Sequence, residues 1–162
     1  MITEVRNLKM GMEFIDNSEL VKRMLEEATI SGVLEAAAEC EAQTIRNTRV
    51  DTGQTKESWK IEVEDGGHTA VIGNPLENSL WEEFGTGEYA LKGNGRKGGW
   101  YIPEERLSSS ARGKMKKVVG KNGKVYYFTK GKRPTRAFQN AFATKKKTMI
   151  KLIINSIKKA FS

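Results

Sequence analysis

The sequence predicts an α+β fold: a small antiparallel sheet of about four strands, packed by a long N-terminal helical segment and a long C-terminal helix, with a long mobile basic loop. Apolar residues recur at helical spacing at both ends of the chain. The middle instead alternates and is punctuated by Gly-rich turns. At 162 residues and 38% hydrophobic content, the chain is long enough for one core, so a single domain over 1–162 is expected.

The first ten residues show no clear period and read as an arm or an edge strand, with the arm taken as residues 1–16. The helical segment spans 17–48, with Asn17 or Ser18 as its N-cap. Leu20, Val21, Met24, Leu25 and Ala28 carry the first part of the pattern. Val33, Leu34, Ala37, Ala38, Ala42 and Ile45 carry the second, after an expected break at Ser31-Gly32. A hairpin over 57–73 follows from the alternation of Trp59, Ile61 and Val63 with Lys60, Glu62 and Glu64, then the turn Asp65-Gly66-Gly67-His68. Residues 76–84 read as a short helix stopped by Gly85. The basic loop, 90–133, contains a hairpin of Lys116 to Val119 and Val125 to Thr129 around Asn122-Gly123. Phe138, Ala141, Phe142, Met149, Ile153, Ile157 and Phe161 define the last helix, 135–161.

The net charge of +8 hides an asymmetry. Residues 1–89 hold eight basic and eighteen acidic groups, whereas residues 90–162 hold twenty basic and two acidic. Such a chain suits mutual attraction between the acidic face of one copy and the basic face of another. The one cysteine, Cys40, lies in an Ala-rich helical pattern and reads as a buried thiol, so no disulfide framework forms within the chain. No apolar run approaches the length of a spanning helix.

Catalytic chemistry finds little support. Gly93-Asn94-Gly95-Arg96-Lys97-Gly98 has dinucleotide-loop spacing but is followed by Gly99-Trp100-Tyr101-Ile102-Pro103, which does not start a helix. His68, the one histidine, falls in an exposed turn. Glu82 and Glu83 are adjacent, so a helix splays them by about 100° and they cannot flank one bond. No catalytic residue, metal site or cofactor is expected. The basic stretch is the stronger candidate: Lys92, Arg96, Lys97, Lys114, Lys116, Lys117, Lys121, Lys132 and Arg133, with aromatics between them, have the composition of a partner or nucleic-acid contact.

Three segments together resemble the head-tail joining, or tail-completion, family of minor virion proteins of tailed double-stranded DNA phages and prophages. The first is Arg49-Val50-Asp51-Thr52-Gly53 followed by Ser58-Trp59. The second is Ser79-Leu80-Trp81-Glu82-Glu83-Phe84-Gly85-Thr86. The third is Gly131-Lys132-Arg133-Pro134-Thr135-Arg136-Ala137-Phe138 with Ala141. The chain departs from the family pattern at Asn78, where Tyr is frequent, at Ala137 and Asn140, where Pro is frequent, and at Gln54-Thr55, where Leu usually follows the glycine. Among the matched residues, Gly53 and Gly85 are expected to turn corners. Trp59, Trp81 and Phe84 are expected to pack beneath the sheet, and Glu83 to bond the Gly85-Thr86 turn.

The resemblance implies a non-enzymatic virion structural protein acting in head-tail connection or tail completion. Its expected location is the neck or tail, with the host cytoplasm as the site of assembly. Its implied partners are other copies of itself in a templated ring, portal or adaptor proteins, tail proteins and DNA in the ring lumen, with no membrane. A small basic DNA-binding module is the alternative.

Overall fold

Two long helices from opposite ends of the chain lie against each other. The computed structural model describes residues 15–50 and 53–162; the expected arm, apart from its last residues, and Asp51 and Thr52 lie outside the described residues. Helix α1, Ser18–Asn47, is continuous. Helix α5, Ala137–Ala160, runs antiparallel to it. The register is fixed at four levels along the pair. Ser156 Oγ donates to the Ala28 carbonyl at 2.8 Å, Gly32 meets Ile153, Lys145 pairs with Glu39 at 2.6 Å, and Asn47 Nδ2 donates to the Ala137 carbonyl at 3.1 Å.

The expected break at Ser31-Gly32 is absent, and the packing gives the reason. The buried residues of α1 are Ala28, Gly32, Ala36, Ala37, Cys40 and Thr44, a stripe of small side chains spaced mainly by four. A Cβ on Gly32 would lie 2.8 Å from the Ile153 Cα, so this glycine sets the closest approach of the two helices rather than ending one. Burial in this seam pushes the Cys40 thiol pKa up, which keeps the sulfur protonated and unreactive.

The middle of the chain forms five strands in two separate antiparallel sheets, where one sheet of about four was expected. In the first, β1 (Lys60–Glu64) pairs with β2 (Thr69–Gly73), setting Ile61 opposite Ile72. This hairpin lies on α1, where its Gly67 abuts the Ile30 side chain. In the second, the order is β3 (Trp100–Pro103), β5 (Val125–Thr129), β4 (Lys116–Val119). Strand β3 is the unexpected one. It is four residues long, follows a glycine-rich segment and ends in proline, which is tolerated because β3 is an edge strand. Residues 90–133 therefore carry a sheet as well as loops. Short helices α2 (Gln54–Glu57), α3 (Glu77–Phe84) and α4 (Ser109–Arg112) fill the corners.

A polar network closes the C-terminal end of α1. Thr44 Oγ1 donates to the Cys40 carbonyl and Thr48 Oγ1 to the Thr44 carbonyl, both at 2.8 Å. Trp59 Nε1 donates to Thr48 Oγ1 at 2.9 Å, and the Trp59 ring stacks on Phe138 of α5 with centroids 6.2 Å apart. The hydroxyls thus satisfy buried backbone and indole groups together.

Two outcomes are expected. Gly32→Val forces the helices apart at Ile153 and should lower stability by about 1–3 kcal/mol in urea denaturation, whereas Ser31→Ala on the exposed side should change it by less than about 0.5 kcal/mol. Lys145 holds the Glu39 carboxyl below its ordinary value of 4.5, so this pair stabilises the fold above that pH and is lost as pH falls through the lowered value. Stability of Glu39→Gln, measured by thermal melts between about pH 5 and pH 3, should fall less steeply than that of the unaltered protein.

Candidate functional site

The three resembling segments, far apart in the chain, meet at one place in the fold. Helix α3 provides the junction because its residues point in different directions around the axis. Ser79 is buried and donates to the Leu76 carbonyl at 2.6 Å. Glu82 and Glu83 then reach toward residues 131–139 on adjacent sides of the helix.

Glu82 holds the extended segment before α5. Its carboxylate accepts from Lys132 Nζ and, at 2.9 Å, from Thr135 Oγ1; its backbone carbonyl accepts from the Thr135 amide at 2.6 Å. Arg49, at the end of α1, lies 4.0 Å from the same carboxylate and donates to the Arg133 carbonyl at 3.4 Å. One side chain therefore ties together all three segments.

Glu83 caps α5. Its two carboxylate oxygens accept from the amides of Phe138 at 3.0 Å and Gln139 at 2.9 Å. These are free donors in the first turn of a helix, where the aligned peptide dipoles also favour a negative charge. The expectation that Glu83 bonds the Gly85-Thr86 turn is corrected: the uncapped α5 N-terminus lies within reach and offers two charge-assisted bonds. The residue entering α5, Arg136, has left-handed backbone at φ 55°, ψ 42°, uncommon outside glycine. The Glu83 cap and the Asn140 amide bonded to the Arg136 carbonyl at 2.9 Å hold that turn.

Beyond α3 the backbones cross closely. The Thr86 amide donates to the Lys132 carbonyl and the Lys132 amide donates to Thr86 Oγ1, both at 2.9 Å. Gly85, at φ +73°, has no room for a side chain, since a Cβ would stand 2.8 Å from Pro134 Cδ. Gly53 caps α2 in left-handed conformation, and Ala141 is fully buried under α1.

Trp59 packs inward, but Trp81 and Phe84 do not. They are 46% and 45% exposed, and with Leu80 at 56% they form an apolar ridge on the outside of α3. The physical reason is the inward face of α3: it is taken by Ser79 and the two glutamates, which leaves the aromatic positions facing out.

The basic candidates are dispersed. Lys92 lies over the Phe84 ring, Arg96 over Trp100 and Arg133 over Tyr89, so these cations engage the chain's own aromatics. Lys116 and Lys117 are successive strand residues and so project to opposite faces of β4. Lys97 and Lys121 lie in exposed turns, and Lys132 is held by Glu82. Lys114, Lys132 and Arg133 do line one groove of about 620 Å³, with Arg49, Glu82 and Trp100. Glu82 in its wall offsets two of those cations. His68 is exposed, 3.7 Å from Glu26. Among the described residues no acidic, cysteine and histidine side chains cluster to hold a metal ion, and no helix is long and apolar enough to cross a membrane.

Sequence reasoning missed Arg49, Thr135 and Glu82 as structural partners. Their one signal was membership of the three quoted segments, because pairing between residues so far apart in sequence leaves no local pattern.

The result is an α+β unit in which the Glu82 and Glu83 carboxylates tie distant chain segments together. Among known families, the HK97-gp10-like family, described as "Bacteriophage HK97-gp10, putative tail-component", matches residues 12–85, a little under half the chain. The match is consistent with the head-tail and tail-completion resemblance. It contains the first segment and the second as far as Gly85, and stops short of the third. No curated protein and no solved structure matches.

Replacing Glu83 by Ala removes both bonds to the α5 N-terminus and should cost about 1–2 kcal/mol in urea denaturation. The exposed Glu77→Gln in the same helix should stay within about 0.5 kcal/mol of the unaltered protein.

Proposed function

We propose that this protein is a non-enzymatic structural component of a phage or prophage virion that acts in head-tail connection or tail completion and assembles as a ring at the neck. The observation that carries this reading is the family match over residues 12–85, which ends where α3 presents its Leu80, Trp81 and Phe84 ridge. An exposed apolar ridge mounted on a helix fixed at both carboxylates is suited to docking another protein. Portal-side and tail-side proteins are the partners this role requires, with DNA passing through the lumen, and host cytoplasm is the place of assembly.

The self-association supporting a ring rests on charge. Residues 1–89 and 90–162 carry opposite net charge, which favours a heterologous contact between copies, and such a contact can close into a ring.

The role is tested by deleting the gene from the phage or prophage that carries it. Filled heads and separate tails should accumulate, and electron microscopy should show joined particles again when purified protein is added. Normal joining without the protein would overturn the proposal. Tight binding of nonspecific DNA by the isolated protein, with a steep salt dependence and no association with particles, would favour the DNA-binding alternative instead.

A further inference from the structure

The helix pair is polarised in charge from flank to flank. In α1, residues 24–45 contain five glutamates and no lysine or arginine; α5 contains six lysines and no aspartate or glutamate. Among the described residues, Glu39 and Lys145 form the one ion pair directly between the two helices. The remaining charges point away from the seam.

Two faces of each helix are accounted for. On α1, Gly32 and Glu39 face α5, while Ile30 faces the β1–β2 hairpin. On α5, Ile153 and Ser156 face α1, while Phe138 and Met149 border the groove beneath β2. The third, outer face of α1 carries Leu20, Glu27, Leu34, Ala38 and Glu41. The outer face of α5 carries Ala143, Lys147, Ile150, Ile154 and Phe161. Both sets fall on heptad positions, the spacing that lets one helix pack along another. Both are apolar and open: Ile150, Ile154 and Phe161 are 49%, 44% and 49% exposed.

We infer that the outer flank of α1 in one copy packs against the outer flank of α5 in a second copy of this chain. The inference rests on the ring reading above and supplies its contact. Charge selects the occupant. The α5 flank is apolar with lysines only, so it matches an apolar flank whose charges are glutamates, and from residue 24 to residue 45 α1 of the same chain carries one. An antiparallel approach at the level already held within the subunit sets Leu34 opposite Ile150 and puts Glu27 and Glu41 within about a turn of Lys158 and Lys147. The two flanks are different surfaces, so each copy has one of each and the contact propagates head to tail.

Charge exchange tests the contact on the full chain. Lys147→Glu with Lys158→Glu makes both flanks acidic, and Glu27→Lys with Glu41→Lys makes both basic. All four sites are on the helix surface, and circular dichroism and melting temperature confirm that each variant folds. By sedimentation at low salt, each alone should self-associate at least about tenfold more weakly than the unaltered protein, while an equimolar mixture should recover to within about threefold. In a second arm, Leu34→Cys chains mixed with Ile150→Cys chains should form mixed disulfide dimers in preference to either like pair, in solution or on assembled particles.

Variants that associate as well as the unaltered protein, or a mixture that fails to recover, would overturn the contact. So would preferential like-with-like cross-links. Absence of cross-links in both settings would mean that another part of the chain or a different virion protein covers these flanks. The role itself is read separately. Charge variants that restore head-tail joining in the deletion strain would reject this contact while leaving the neck reading intact, whereas a deletion without a joining defect would reject the reading.

Discussion

The close approach of α1 and α5 is the constraint on which the remaining structure depends. It requires a stripe of small residues on α1, with Gly32 at the tightest point against Ile153. Small side chains bring little apolar area of their own, so the seam gains from close dispersion contacts along its length rather than from large buried groups. The larger apolar residues are consequently displaced to the margins. Trp59 and Phe138 stack at one end, and Ile150, Ile154 and Leu34 remain on the outside.

Docking α5 in register creates a second demand, because the chain must arrive from the second sheet and turn sharply into the helix. The left-handed Arg136 marks that turn. Glu83 satisfies the two amides exposed just after it, while Glu82 secures the approach through Lys132 and Thr135. The adjacent glutamates, unsuited to acting together on a single bond, are well placed to hold two successive stretches of one incoming segment. Their angular divergence is what makes that arrangement work.

The α+β class was legible in the sequence because its strongest signals are periodic: helical spacing across Phe138 to Phe161, and alternation from Trp59 to Val63. Gly32 was misread because a glycine inside a helical pattern looks locally like a terminator, and only the partner helix shows its use. Strand β3 was missed because four residues ending in proline give too short a pattern, and its pairing with β5 is nonlocal. At the site, the three segments were visible as separate motifs. Their convergence was not, since Glu83 and Phe138 are joined only in space. The inward assignment of Trp81 and Phe84 failed for a related reason: aromatic residues usually claim the buried face, but here carboxylates hold it.

The antiparallel seam also has a consequence for when the protein can fold. Its contacts join residues separated by 90 positions at Asn47 and Ala137, and by 128 at Ala28 and Ser156. During synthesis, therefore, α1 emerges long before the surface that covers it exists. The seam can close only once α5 is available, so its formation carries a high entropic threshold for loop closure. Until then the small-residue stripe of α1 is uncovered, and exposed apolar surface of that kind favours association between incompletely folded chains. The seam and the outer flanks of its two helices thus take shape in a single step.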